Sequence, residues 1–213
     1  MTDEEPTATQ LYLISPLDVG GTFPDRLARA LDAAPVAAFQ FRVKDMDEHQ
    51  AARLAEPLQA ICAERGVAFI VNDSIGLAKR IGADGVHLGQ SDGTVADARE
   101  RLGRDAQIGV TCHGSRHLAM EAGDAGADYV AFGAFFPSTT KEVEHRAELD
   151  VLTWWRDLME IPCVAIGGIT PDNCGPLVQA GADFLAVSGA VWNGDEAAAV
   201  QAFHRAIAAA SEA

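Results

Sequence analysis

The chain has 213 residues, 48% of them hydrophobic, enough for one domain with a substantial core. Its 31 acidic against 16 basic residues, a formal charge of -15, argue against a broad nucleic-acid or anionic-membrane surface, yet leave room for anionic ligands held by a few local cations and backbone amides. The four cysteines, Cys62, Cys112, Cys163 and Cys174, are scattered without a C-x-x-C pair, which speaks against a zinc site or disulfide framework and for reduced thiols in a cytoplasmic protein.

Residues 1–10 are acidic and polar, with no basic n-region and no apolar h-region. They read as a disordered tail rather than a signal peptide, with residues 11–213 as one catalytic domain. No apolar run reaches the roughly 18 residues a membrane-spanning helix needs. Eight strands are expected: Leu11–Ile14, Ala37–Val43, Ala68–Asn72, Val86–Gly89, Ile108–Thr111, Tyr129–Gly133, Val164–Gly167 and Phe184–Ser188. Several are near-continuous apolar runs, as strands covered on both faces require. Helical patterns alternate with them: Pro24–Ala33, Glu48–Arg65, Ile75–Ile81, Val95–Leu102, Ser115–Ala125, Val151–Met159, Asn173–Ala180 and Glu196–Ala210.

The segment Gly-Ala-Asp occurs three times, as Gly82-Ala83-Asp84, Gly126-Ala127-Asp128 and Gly181-Ala182-Asp183. Each copy leads from a helical pattern into a short apolar strand, so a glycine ends the helix and an acidic turn starts the strand. The repeated unit and the short connections favour an α/β single-domain (β/α)8 TIM barrel over a doubly wound sheet. In such a barrel the chemistry belongs at the C-terminal ends of the strands.

Several polar residues fall at those ends. Gln40, Arg42 and Lys44 alternate with Phe41 and Val43, so a period of two puts them on one face. Inside a barrel they would be costly without a ligand or counter-charge; the alternative is a solvated strand end. Asn72-Asp73 closes the third strand, and Gln90-Ser91-Asp92 follows the fourth. Asp73 and Asp92 at adjacent mouths suit a magnesium ion, which takes few carboxylates and completes its shell with water and phosphate oxygens. The alternative is that each merely caps the helix that follows it.

Gly109 to Gly114 ends the fifth strand, where the Thr111 hydroxyl and backbone amides could hold a phosphate or diphosphate. Cys112 and His113, adjacent along a strand, point to opposite faces and make a poor nucleophile–base pair. His113 stays open as a ligand contact or a loop residue, and His87 reads as a buried structural residue. The longest irregular stretch, residues 135–149, carries Ser138-Thr139-Thr140-Lys141, three hydroxyls and a lysine suited to a diphosphate or to a solvated loop. The glycine turn Gly167-Gly168 follows the seventh strand and Ser188 ends the eighth, where barrels commonly seat phosphate. Trp154 and Trp155 read as exterior helix packing.

Together these segments resemble the thiamine phosphate synthase family. The resemblance runs from about Leu11 to Val191. It is carried by Gln40-Phe41-Arg42-Val43-Lys44, Asn72-Asp73, the run from Gly82 to Asp92, Gly133 through Lys141, and Ala165-Ile166-Gly167-Gly168-Ile169. The resemblance implies a magnesium-dependent transferase joining an aminopyrimidine methyl diphosphate to a thiazole phosphate, with release of diphosphate. It implies that Gln40, Arg42, Lys44 and Asn72 contact the pyrimidine diphosphate. Asp73 and Asp92 would hold magnesium, and Thr111, Thr139 and Lys141 would bind diphosphate oxygens. Gly168 and Ser188 would seat the thiazole phosphate. Arg42, Lys44 and Lys141 would neutralise the departing diphosphate. Position 111 is Thr where the family usually has Ser, which keeps the hydroxyl. The rivals are a thiazole tautomerase using His113, a non-catalytic barrel that binds a thiamine precursor, and a sugar-phosphate epimerase. The joint presence of Arg42, Lys44, Asp73, Asp92 and Lys141 favours the synthase. The sequence leaves the oligomeric state open, a homo-oligomer included.

Overall fold

The computed structural model describes residues 8–137 and 146–213. Strands β1 (Gln10–Ile14), β2 (Ala38–Phe41), β3 (Ala68–Asn72), β4 (Gly85–Leu88), β5 (Gln107–His113), β6 (Tyr129–Phe132), β7 (Cys163–Ile166) and β8 (Phe184–Val187) form a closed parallel barrel in sequence order, β8 pairing back onto β1. Helices α1 (Phe23–Ala33), α2 (Glu48–Glu64), α3 (Ile75–Ile81), α4 (Val95–Leu102), α5 (Arg116–Asp124), α6 (Asp150–Leu158) and α7 (Gly175–Gln179) follow β1 to β7 in turn. A short α8 (Gly189–Trp192) and the long α9 (Glu196–Ser211) follow β8. The TIM barrel expected from the repeats is therefore the fold, and α8 is an addition to the expected elements. No helix of the described residues is long and apolar enough to cross a membrane.

The pleat divides the core in two. Leu11 and Leu13 of β1 join the apolar sleeve between strands and helices, while Tyr12 and Ile14 face the barrel axis with Ile70, Tyr129, Ala131, Val164 and Ala186. The sleeve is the larger mass and includes all four cysteines. Cys112 lies there, fully buried, its thiol pushed up to about 12 by burial, so it is no nucleophile at neutral pH. Trp155 also packs in the sleeve, and its indole N–H donates to the Ile161 carbonyl at 2.6 Å.

The Gly-Ala-Asp repeats have one structural job. In each, the aspartate amide donates to a carbonyl of the preceding strand, and the aspartate side chain accepts from that same residue's amide. Asp84 pairs so with Phe69, Asp128 with Ile108 and Asp183 with Cys163, each Oδ2 accepting at 2.7 Å. The acidic turn thus staples strand 4 to 3, 6 to 5 and 8 to 7 at their N-terminal ends. Cys163 is wholly buried, so Asp183→Ala would strand its amide without a partner. We expect that variant to lose about 1–3 kcal/mol in urea unfolding while keeping the parent's KM values. Unchanged stability would mean the staple is redundant.

Only β3 keeps both its expected ends; the other strands shift by one or two residues. β2 stops at Phe41 rather than Val43. The neighbouring β1 ends at Ile14, paired with Gln40, and the Ser15 amide makes the last backbone bond between the two, to the Gln40 carbonyl at 2.9 Å. The Ser15 hydroxyl takes over: it accepts from the Arg42 amide at 2.9 Å and donates to the Arg42 carbonyl at 3.1 Å. Residues 1–7 of the expected tail lie outside the described residues. Gln10 is the first residue of β1, and the Thr9 hydroxyl donates to the Ala182 carbonyl at 2.7 Å.

Candidate active site

The C-terminal mouth of the barrel gathers most of the polar residues expected there. Gln40 is buried on the inner face of β2, opposite Ile14 of β1. Arg42, half-buried, follows it, its backbone clamped by Ser15. Lys44 is exposed in the loop beyond, so of the three only Gln40 lies within the strand. Asn72, half-buried, ends β3, and Thr111, half-buried, lies on β5 at a register shift.

Asp73 is the centre of charge. Burial, the nearby Asp92 charge and a hydrogen bond between the two carboxyl groups raise its pKa to about 6. The charges of Lys44 and Arg42 act on it in the opposite direction. The four side chains of Arg42, Lys44, Asp73 and Asp92 are thus one electrostatic cluster, drawn from β2, β3 and β4 and their following loops. The capping alternative fails for both acids. The α3 cap is Ser74, whose hydroxyl accepts from the Leu77 amide, and the α4 cap is Thr94, accepting from the Asp97 amide. Asp73 instead adopts φ 65°, a left-handed conformation that aspartate tolerates better than most residues. Asp92 accepts from the Gly89 amide at 3.0 Å, which folds its loop back over β4.

Two carboxyl groups this close repel when both are ionised, and a divalent cation relieves that repulsion. Among the described residues, no three His, Cys, Asp or Glu side chains converge on a metal. The donor set that is present, an acid pair, is one that magnesium takes, with water and substrate phosphate oxygens as the remaining ligands.

Opposite this cluster, Gly167 and Gly168 turn the chain after β7 with φ of 103° and 63°. A side chain at Gly168 would run into the carbonyls of Phe136 and Pro137, so the glycine lets the segment after β6 lie against the β7 turn. Asn173 fixes the turn, donating to the Gly168 carbonyl at 3.0 Å and accepting from the Thr170 amide at 2.8 Å. Ser188 follows β8 and donates to the Ser15 carbonyl at 3.4 Å, so the ends of β8 and β1 meet at the same mouth. Thr139 and Lys141 lie outside the described residues. His113 closes β5 with φ 53°.

Sequence reasoning missed what lies beneath the mouth. The Gln40 amide donates to the Tyr12 hydroxyl at 3.0 Å, and the Tyr12 and Tyr129 hydroxyls are 3.0 Å apart. The Tyr129 hydroxyl lies 3.1 Å from His87 Nδ1, and His87 Nε2 lies 2.8 Å from the Thr111 hydroxyl. Burial pushes the His87 pKa down to about 4 against the opposing Asp92 charge. It raises Tyr12 to about 12 against its hydrogen bonds with Tyr129 and Gln40. Burial raises Tyr129 as well, so His87, Tyr12 and Tyr129 are all neutral at pH 7. One signal was present in the sequence: Tyr12 and Tyr129 fall on the inward parity of their strands, where an apolar ring with a polar tip needs a partner.

A family model described as thiamine monophosphate synthase matches residues 11–191. The chain belongs to the thiamine monophosphate synthase family. The thiamine-phosphate synthase of Erythrobacter litoralis is 73% identical over 206 residues, covering 95% of this chain and 97% of that one. That of Rhodospirillum centenum is 54% identical over 202 residues, covering 93% and 98%. A thiamine phosphate pyrophosphorylase structure from Pyrococcus furiosus superposes with a TM-score of 0.84 at 28% identity, covering 96% of this chain and 98% of that one. This chain is accordingly a transferase of the thiamine-phosphate synthase family, acting on small molecules, and the family match spans every strand of the barrel described above.

Proposed function

We propose that the barrel mouth condenses 4-amino-2-methyl-5-hydroxymethylpyrimidine diphosphate with 4-methyl-5-(2-phosphoethyl)thiazole, giving thiamine phosphate and diphosphate. The observation that carries the residue assignment is the cluster of Arg42, Lys44, Asp73 and Asp92, two cations facing an acid pair in which burial and the Asp92 charge raise the Asp73 pKa to about 6. An acid pair beside cations is a site for an anion bridged by a divalent metal. Asp73 and Asp92 hold magnesium in this reading, and the bound ion supplies charge neutralisation to the diphosphate.

The reaction needs no nucleophilic side chain. The C–O bond to diphosphate breaks with its electron pair leaving on oxygen. The aminopyrimidine ring donates electron density to the methylene left behind. The thiazole nitrogen lone pair then forms the new C–N bond, and the ring becomes a thiazolium cation. What the chain contributes is position and charge. Arg42 presents a planar fork of donors to phosphate oxygens, and Lys44 adds a mobile positive charge from the loop. Thr111 and Asn72 face the same anion from β5 and β3, and Gln40 lies deeper, toward the ring. Lys141 and Thr139, outside the described residues, would add further diphosphate contacts. Gly168 and Ser188 seat the thiazole phosphate on the β7–β8 side, so the two substrates enter from opposite walls.

The test is product formation from the two substrates with magnesium. Thiamine phosphate and free diphosphate should appear in equal amounts and cease on chelation. A folded protein that makes neither would overturn the assignment.

A further inference from the structure

The residues under the mouth form a continuous chain of hydrogen bonds across the barrel: Gln40 on β2, Tyr12 on β1, Tyr129 on β6, His87 on β4 and Thr111 on β5. A chain of hydroxyls between two neutral groups can run in one of two directions, and its ends decide which. At one end stands the Gln40 amide nitrogen, which can only donate. Tyr12, accepting from it, has its own proton left for Tyr129. Tyr129 then donates to His87 Nδ1. A neutral imidazole with an acceptor Nδ1 carries its one proton on Nε2, and that proton goes to the Thr111 oxygen. The Thr111 hydroxyl proton, displaced from the histidine, points elsewhere.

We propose that Tyr12, Tyr129 and His87 are positioning residues that form a one-directional relay, holding the Thr111 hydroxyl as a donor toward the bound diphosphate. The proposal deepens the functional reading above and rests on it for the identity of the anion. Without the relay, Thr111 could spend its proton on His87 and meet the anion oxygen-first, which repels. The direction is built by specific sequence choices. Tyr129 sits across Gly109 in the β5–β6 register, and a side chain there would collide with its ring. That notch lets the ring reach His87 on β4, two strands away, and stack on it at 5.6 Å between ring centres and 26° between planes. The Thr111 carbonyl accepts from the Gln90 side chain, so the residue's backbone is held while its hydroxyl is directed.

Histidine nitrogen NMR on the substrate-free protein at pH 7.5 tests the direction without any turnover. The relay requires His87 as the Nε2–H tautomer; an Nδ1–H tautomer would mean the chain runs the other way and would overturn the proposal, whatever the enzyme's activity. Tyr129→Phe is the matching variant, since it keeps the ring in the Gly109 notch and removes only the hydroxyl. It should shift the His87 nitrogen resonances and lower kcat/KM for the pyrimidine diphosphate roughly tenfold, with the KM for the thiazole phosphate unchanged. Unaltered His87 resonances and unaltered kinetics in a folded variant would show that the hydroxyls merely fill the barrel. A protein inactive as a synthase but with His87 in the Nε2–H form would instead fault the functional reading and leave the relay standing.

Discussion

Replacing Asp73 by asparagine is expected to abolish turnover and, at the same time, to raise the melting temperature of the metal-free protein. Its pKa stands at about 6 in the folded chain, raised from 3.8 by burial and by Asp92. Between those two values the folded state holds a proton that the unfolded chain has released. Folding is therefore helped at low pH, and that help is lost as pH rises through about 6. At pH 8 the parent carries the full cost of two crowded carboxylates. Asparagine has no charge and accepts the left-handed conformation at this position, so it removes the cost without adding strain. A shift of this size corresponds to on the order of 1–3 kcal/mol after allowance for partial solvent screening, or roughly 2–10 °C in a chain of this length.

Magnesium should compensate in the parent only. In EDTA at pH 8 the variant should melt above the parent; with magnesium the parent should rise and the variant should not. Activity should fall by roughly a thousandfold or more, because the variant can no longer neutralise the leaving diphosphate. Scanning calorimetry with and without magnesium, beside product assays, reads both. A variant that melts below the parent in EDTA, or gains as much from magnesium, would remove Asp73 from the metal site.

Arg42→Gln should have the next largest effect. The Ser15 clamp holds the Arg42 backbone through both its amide and its carbonyl, so the guanidinium starts from a fixed point beside Asp73. Loss of a preorganised cation on a departing anion costs on the order of 100- to 1,000-fold in rate. We expect kcat/KM for the pyrimidine diphosphate to fall by about that much, with little change in the KM for the thiazole phosphate. Arg42→Lys should recover only part, since an ammonium cannot make two parallel hydrogen bonds to a phosphate. Initial rates with each substrate varied in turn separate these outcomes. A defect confined to the thiazole phosphate would place Arg42 on the wrong substrate, and no defect would favour chemistry that releases no diphosphate.

Local patterns in the chain foretold the fold because each barrel unit is written locally. The three Gly-Ala-Asp joints needed only a left-handed glycine and an acid next to a strand, and the structure shows each aspartate pinning the strand before its own. Strand ends were harder. β2 stops at Phe41 because β1 ends at Ile14 and the Ser15 hydroxyl takes the Arg42 amide and carbonyl, a fact about pairing rather than about residues 38–43. The choice between metal ligand and helix cap for Asp73 and Asp92 could not be made from spacing, since Ser74 and Thr94 sit one and two residues on and can cap equally well.

The amino-acid order by itself determined the barrel, the end at which its polar residues collect, and the family. Periodicity, helix stops and short motifs are properties of neighbouring residues and survive without a third dimension. Only the tertiary structure decided how residues far apart in the chain share protons and charge. Asp73 and Asp92 come together because β3 and β4 are adjacent strands. Tyr12 and Tyr129 meet because the closed sheet turns their inward faces toward one axis, and Gly109 leaves room for Tyr129 to reach His87. Burial then sets the ionisation of each, because desolvation depends on what surrounds a group in space and not on what precedes it in sequence.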